Sequence, residues 1–339
     1  MILAADVGGT KTILGLFKTA RGRLDVSREE VFPSHAFISL EAMVEDFLSR
    51  GHPHIAAASV GVAGPVVDGR SQVVNLPWSV DRKRLARALG IDGVSLLNDL
   101  EASAWGVPRL SARKMRTLTP GLRSRPGNAA LIAAGTGLGM ALMFWDGRRH
   151  HPSAGEGGHQ HFAPRDDLEI ALLRYLRRRT GRVSVERLVC GSGFSAIYTF
   201  LTENGWGSGS REMRRRLAEA SDPNAVISEA ALGGVDALAE KTMQMFVSIY
   251  GAVAGDLALL TKATAGVYVA GGIAPRILPR LTDGTFIDAF RDKGRLSSLV
   301  EKIPVRVILE PRTALLGAAA HAMGVAATAT RRNRTRRRT

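Results

Sequence analysis

Ile2-Leu3-Ala4-Ala5-Asp6-Val7-Gly8-Gly9-Thr10-Lys11-Thr12-Ile13-Leu14-Gly15-Leu16-Phe17 is the stretch that decides the fold. An apolar run meets a glycine break and a second apolar run follows, the pattern of strand, tight turn and strand. The pattern returns about 130 residues later. There Ala129-Ala130-Leu131-Ile132-Ala133 leads into Gly135-Thr136-Gly137-Leu138-Gly139 and then Ala141-Leu142-Met143-Phe144. Two copies of one unit predict two domains built on one plan. Around them lie further buried-type strands, Ile55 to Val62 and Val94 to Leu97, with helices expected over Leu40 to Leu48 and Arg84 to Leu89. Val267-Tyr268-Val269-Ala270 ends on Gly271-Gly272-Ile273, and the Ala-rich Thr313 to Met323 reads as a final helix. Alternating strands and helices predict an α/β fold.

The length of 339 residues fits two domains, and 45% hydrophobic with 23% charged residues is globular composition. Cys190, the single cysteine, excludes an internal disulfide framework and a cysteine-rich zinc site. Met1 to Asp6 lacks the basic start of a signal peptide, and the uncharged run Asn128 to Trp145 is broken by glycines and is short for a membrane span. No membrane is expected, and the expected location is the cytoplasm. The net charge of +15 raises nucleic acid, anionic membrane and anionic small molecules as partners, yet six of those charges are arginines between Arg331 and Arg338, leaving +9. Arg174, Arg177, Arg178 and Arg179 end a segment that starts Asp166-Asp167-Leu168-Glu169, the order a helix dipole favours. Arg211, Arg214, Arg215 and Arg216 form a second cluster, and both are expected as solvated helix faces. Residues 326–339 are expected as a disordered basic tail.

Glycine turns let backbone N–H groups converge on a phosphate with no Cβ in the way. Neither turn is a Walker A loop, since Thr10 and not glycine precedes Lys11, and neither opens a helix as a dinucleotide fingerprint does. A tight hairpin needs glycine in any case. Asp6 at a strand end beside such a turn suits Mg²⁺, held directly or through water, or else caps the turn.

Asn98-Asp99 follows the apolar strand Val94-Ser95-Leu96-Leu97. The pair suits a proton acceptor for a hydroxyl with a hydrogen-bonding neighbour, or else an Asx turn or helix N-cap, which the spacing alone favours. Gly155-Glu156-Gly157-Gly158-His159 bends a backbone around two strong hydrogen-bonding side chains, the kind polyol hydroxyls need. A metal on Glu156, His159 and His161 has thin support. His150 and His151 are expected in an exposed loop, Glu186 as a helix N-terminal acid, Gly191-Ser192-Gly193 as a turn in preference to a second sugar or nucleotide contact, and Cys190 as inert core.

Taken in order, Asp6-Val7-Gly8-Gly9-Thr10, Leu97-Asn98-Asp99, Gly135-Thr136-Gly137-Leu138-Gly139, Gly155-Glu156-Gly157-Gly158-His159, Ser184-Val185-Glu186-Arg187 and Ala270-Gly271-Gly272-Ile273 resemble the bacterial ATP-dependent glucokinase family, of the proteobacterial type. The likeness runs over roughly residues 2 to 325. It implies the two-domain actin-like ATPase (ribonuclease-H-like) sugar kinase fold with a cleft between the domains. The small domain would be 1–109 with a returning helix at about 311–325, and the large domain 110–310. The implied reaction moves the γ-phosphate of ATP to the 6-hydroxyl of glucose. Asp99 would be the general base, and Asn98, Glu156, His159 and Glu186 would hold the sugar. Gly8, Gly9, Thr10 and the turn Gly135-Thr136-Gly137 would cradle phosphates, Asp6 would stand near Mg²⁺, and Gly271 and Gly272 would face adenosine. At Lys11 the family commonly has Asn, so a lysine there either strengthens the phosphate contact or points to solvent. The family of kinases and repressors with a cysteine-rich zinc motif is excluded by the cysteine count. A kinase of another hexose, such as mannose or glucosamine, is the second reading, and a sugar-responsive regulator the third. The third needs a nucleic-acid module that the sequence does not display, so nucleic acid is not an expected partner. A homodimer is expected only as the commonest assembly.

Overall fold

A computed structural model describes residues 1–20, 22–51, 53–73, 76–121 and 126–336. The chain divides into two units, Met1–Ser111 with Glu310–Thr339, and Ala112–Leu309.

The first unit is built on β1 (Ile2–Val7), β2 (Lys11–Ala20), β3 (Arg23–Pro33), β4 (Ala57–Val62) and β7 (Val94–Asn98), with a small hairpin of β5 (Arg70–Gln72) and β6 (Ser79–Asp81) apart from the sheet. The order is β3-β2-β1-β4-β7; β1 and β2 are antiparallel, and β4 and β7 run parallel to β1. Residues alternate between the two faces of a strand. Leu3, Ala5 and Val7 of β1 pack with Leu40, Met43, Val44 and Phe47 of the helix Leu40–Ser49. Ile2 and Ala4 face the other way, against Leu315, Ala318, Ala319 and Ala322 of the last helix. Helices on both faces explain why β4, Ala57-Ala58-Ser59-Val60-Gly61-Val62, is buried along its length.

The second unit repeats the plan. β9 (Ala129–Ala134), β10 (Leu138–Trp145) and β11 (His150–Gly155) form an antiparallel meander, and β12 (Gly266–Ala270) and β13 (Val305–Ile308) continue parallel to β9. β8 (Met115–Thr119) adds an antiparallel edge, giving the order β11-β10-β9-β12-β13-β8. The expected pair of hairpins is therefore present, one per unit. The helix Ala237–Thr261 is long and apolar enough to cross a membrane by length and composition. Its Met243, Phe246, Val247 and Tyr250 are instead buried in this unit's core, where Phe246 stacks on Phe194 with ring centroids 4.2 Å apart.

Two expectations are corrected. The last helix does not end near residue 325 but runs Thr313–Arg336, so the segment 326–336 is helical rather than disordered. Alanine and arginine are strong helix formers and no glycine or proline interrupts them after Gly324. Arg337 and Arg338 lie outside the described residues. His150 and His151 are on β11, not in a loop. His150 packs on Trp145 with centroids 5.0 Å apart, and His151 Nε2 lies 2.6 Å from Asp146 Oδ2. The arginine clusters sit on helices as expected. Arg179 pairs with Glu203, Arg215 with Glu212 at 2.9 Å, and Arg216 with Glu229 at 3.7 Å.

Candidate functional site

In the first unit the carboxyl ends of three parallel strands are in register. Asp6 pairs with Gly61 and Gly61 with Leu97; one residue on, Val7 pairs with Val62 and Val62 with Asn98. Ligands of open α/β sheets gather at such ends. Gly61 carries no side chain between Asp6 and Leu97, and a Cβ there would meet Ala102 Cβ at 2.8 Å.

The turn after β1 is narrow, with Gly8 N–H donating to the Lys11 carbonyl at 3.0 Å. Its carbonyls are tied back to Ser34. Ser34 Oγ donates to the Gly8 carbonyl at 2.7 Å, and Ser34 N–H to the Thr10 carbonyl at 3.0 Å. Among the described residues the N–H groups of Gly9 and Thr10 have no backbone partner. Thr10 and Lys11 are exposed. Sequence reasoning missed Ser34, because 26 residues separate it from Gly8 and no local pattern marks it.

The Asp6 carboxyl is pushed up from 3.8 to about 6, by burial first and then by the Asp99 charge, with Lys11 pulling the other way. Between about pH 4 and 6 the folded chain keeps a proton on Asp6 that the unfolded chain has released, so this group costs stability as pH rises through that window. Asp6→Asn is therefore expected to stabilise the ligand-free chain at pH 7.5 by about 1–3 kcal/mol. The gain in melting temperature should shrink as pH falls from 6 to 4. Equal melting temperatures at pH 7.5 would show that the carboxylate carries no such cost.

Asn98 and Asp99 stand where β7 meets the helix Asp99–Gly106. Asn98 is the N-cap: its Oδ1 accepts from Leu100 N–H at 2.9 Å and its Nδ2 donates to the Gly64 carbonyl at 3.1 Å. That leaves one amide N–H for a ligand. Asp99 is the first helical residue, half-buried, and its Oδ1 shares the Leu100 N–H at 2.9 Å. Small residues wedge this helix in place. A Cβ on Gly106 would lie 2.1 Å from the Thr313 carbonyl oxygen, and one on Gly317 would lie 1.7 Å from the Ala102 carbonyl oxygen.

The second unit brings together Glu156, His159 and Glu186. His159 Nε2 is 4.0 Å from Glu156 Oε2, and His159 Nδ1 is 4.0 Å from Glu186 Oε1. Glu186 lies in the first turn of the short 3₁₀ helix Val185–Arg187, the helix N-terminal acid expected. It also reaches the second glycine turn, where Oε2 accepts from Leu138 N–H at 2.9 Å. A Cβ on Gly137 would approach that oxygen to 2.7 Å, which gives Gly137 its reason. Gly135 N–H donates to the Gly137 carbonyl at 2.9 Å, and the Gly135 carbonyl accepts from Gly191 N–H at 2.8 Å. Thr136 is exposed at the tip.

In Gly155-Glu156-Gly157-Gly158-His159 the second and third glycines serve close packing, while Gly155 has open space at its Cβ. A Cβ on Gly158 would lie 2.0 Å from the Leu138 carbonyl oxygen, and one on Gly157 would lie 2.5 Å from Met140 Sδ. Backbone bonds from Phe162 N–H to Val183 (3.1 Å) and from Val185 N–H to Gln160 (2.9 Å) tie the segment to the strip that carries Glu186. Arg182 donates to the His159 carbonyl. Gly271 follows β12 at φ +86, where a Cβ would strike the Ala134 carbonyl oxygen at 2.2 Å, while Gly272 has open space. Cys190 is buried, with Sγ 3.1 Å from Ser192 Oγ. No group of three His, Cys, Asp or Glu side chains among the described residues makes a metal centre, Glu156, His159 and His161 included.

The chain has relatives among known proteins. A family model described as Glucokinase matches residues 3–325. The glucokinase of Trichormus variabilis is 40% identical over 334 residues, spanning 94% of this chain and 98% of its own. The crystal structure of a glucokinase from an Antarctic psychrotroph superposes with a TM-score of 0.85 at 29% identity, covering 95% of this chain and 98% of that one. A ROK family glucokinase from Streptomyces griseus, solved in complex with glucose and AMPPNP, has a TM-score of 0.61 at 23% identity, covering 95% and 99%. At that identity the likeness speaks for the fold, which is that of the actin-like sugar kinases.

Proposed function

The chain belongs to the glucokinase family, and from that premise we propose how its residues move the γ-phosphate of ATP to the 6-hydroxyl of glucose. Asp99 accepts the proton of the 6-hydroxyl as its oxygen bonds to phosphorus and the bond to the β-phosphate oxygen breaks, releasing ADP. Its setting supports this role, a half-buried carboxylate at the carboxyl end of a parallel strand on a helix with little room to shift. Asn98, Glu156, His159 and Glu186 hold the other hydroxyls. Asn98 offers its remaining amide N–H, and Glu186 offers Oε1 while Oε2 stays on Leu138.

Gly8, Gly9, Thr10 and Lys11 form one phosphate cradle, Gly135, Thr136 and Gly137 a second, and Gly271 and Gly272 face the adenosine. The N–H groups of Gly9 and Thr10, without a backbone partner among the described residues, and the positive charge of Lys11 support the first cradle. The residues also fit Mg²⁺. Asp6 and Asp99 are near enough for one carboxylate to raise the pKa of the other, an excess of negative oxygen that a hard cation neutralises. Asp6 would hold the ion directly or through water. When bound, Mg²⁺ offsets charge on the β- and γ-phosphates.

The observation that carries this reading is the register that sets Asp6 and Asp99 at the carboxyl ends of β1 and β7, on either side of β4 in one sheet, close enough for the Asp99 charge to act on Asp6. We place the protein in the cytoplasm with glucose and ATP as its small-molecule partners. The burial of its long apolar helix in a core accounts for that helix without a membrane. A coupled assay across glucose, mannose, glucosamine and fructose tests the acceptor. The expected kcat/KM for glucose exceeds the others by at least about tenfold, the scale of one lost hydroxyl contact. Comparable values for several sugars would replace glucose by hexoses in general.

A further inference from the structure

Ser34 lies just past the end of β3 and is fully buried. Its Oγ is 2.7 Å from the Gly8 carbonyl oxygen and 2.9 Å from Thr12 Oγ1, which is also fully buried. A hydroxyl has one proton, so Ser34 donates to Gly8 and accepts from Thr12. The Ser34 N–H takes the Thr10 carbonyl at 3.0 Å. One residue just past the end of β3 thus holds two carbonyls of a three-residue turn.

In a trans peptide the C=O and the N–H point in opposite directions. The Gly8 carbonyl shares its peptide plane with the Gly9 N–H, and the Thr10 carbonyl shares its plane with the Lys11 N–H. Drawing both carbonyls toward Ser34 turns both N–H groups away from it. An anion is held by N–H groups facing it together, and a carbonyl swung among them repels it.

We propose that Ser34 is a positioning residue that sets the affinity of the Gly8–Thr10 turn for the phosphate donor without touching the donor. The inference rests on the reading of that turn as a phosphate cradle. Ser34→Ala keeps the N–H bond to Thr10 and removes the hydroxyl. It is expected to raise the KM for ATP about tenfold, the worth of one buried hydrogen bond, and to leave glucose affinity within about twofold. Thr12→Val is expected to shift the KM for ATP the same way by less. Thr12→Ser, which restores a hydroxyl, is expected to return it to the wild-type value even where the melting temperature stays lowered.

An unchanged KM for ATP in folded Ser34→Ala would overturn the proposal, and so would equal weakening of ATP and glucose. Should Ser34→Ala fail to fold, the comparison of Thr12→Val with Thr12→Ser decides, and equal KM values for ATP in the two overturn it. Gly8→Ala separates the two levels, because its Cβ would press on the Lys11 carbonyl at 3.1 Å and disturb the turn itself. If Gly8→Ala raises the KM for ATP and Ser34→Ala does not, the role of Ser34 falls and the cradle stands. If neither moves it, the cradle falls as well.

Discussion

Asp99→Asn is expected to lower kcat by roughly 10²–10⁴-fold, the range for loss of a general base, with glucose affinity within a few-fold of wild type. Asparagine has the shape of aspartate and keeps an oxygen at the position that now shares the Leu100 N–H. Asn98, the N-cap, is untouched, so the helix Asp99–Gly106 keeps its start. What disappears is the basic oxygen and its negative charge. The charge has a second readout. Since Asp99 is one cause of the raised Asp6 pKa, removing it should lower the pH midpoint of Asp6 from about 6. A folded Asp99→Asn enzyme with near-normal turnover would refute the assigned base. Loss of glucose binding together with turnover would assign Asp99 to binding instead.

Gly317→Ala is expected to be the most damaging of the conservative changes away from the reacting groups. The added Cβ would lie 1.7 Å from the Ala102 carbonyl oxygen and 2.5 Å from the Gly106 nitrogen, both backbone atoms of the helix that begins with Asp99. Neither can swing aside as a side chain does, so the two helices must part. Overpacking of this kind costs roughly 1–3 kcal/mol, and the upper end is expected here. The same displacement moves Asp99, so kcat should fall by about tenfold or more even where the protein remains folded, because small misplacements are costly in catalysis. Gly324→Ala, on the same helix but with open space at its Cβ, is the control. It is expected to stabilise by about 0.5–1 kcal/mol through helix propensity and to leave kcat unchanged. Equal effects of the two substitutions would show that the contact with Ala102 is not what matters.

The sequence was most informative where the physics is local. A glycine turn between two apolar runs is a short-range signal, and the β1–β2 and β9–β10 hairpins lie where it put them. Asn98 and Asp99 were visible as polar residues closing an apolar strand, although the capping use of Asn98 was legible from the same residues and the structure contains it. Glu156, His159 and Glu186 are brought together in one unit, while their roles rest on the family resemblance. Contacts between distant segments were not legible. Ser34 meets Gly8 across two strands, and Glu186 reaches Leu138 across 48 residues. Gly157 and Gly158 read as bends because glycine permits both bending and close approach, and only β10 packed against them tells the two apart. Residues 326–336 read as disordered because a run of charge cannot build a core, yet an alanine helix already anchored on β1 needs no core to continue.

The most direct measurement follows the phosphorus. The chain is incubated with ATP, Mg²⁺ and glucose, and the products are identified by NMR as they form. The account predicts glucose 6-phosphate and ADP in equal amounts, with ATP hydrolysis without sugar slower by orders of magnitude. ATP consumed without sugar phosphate, or phosphate attached at a hydroxyl other than the sixth, would contradict it.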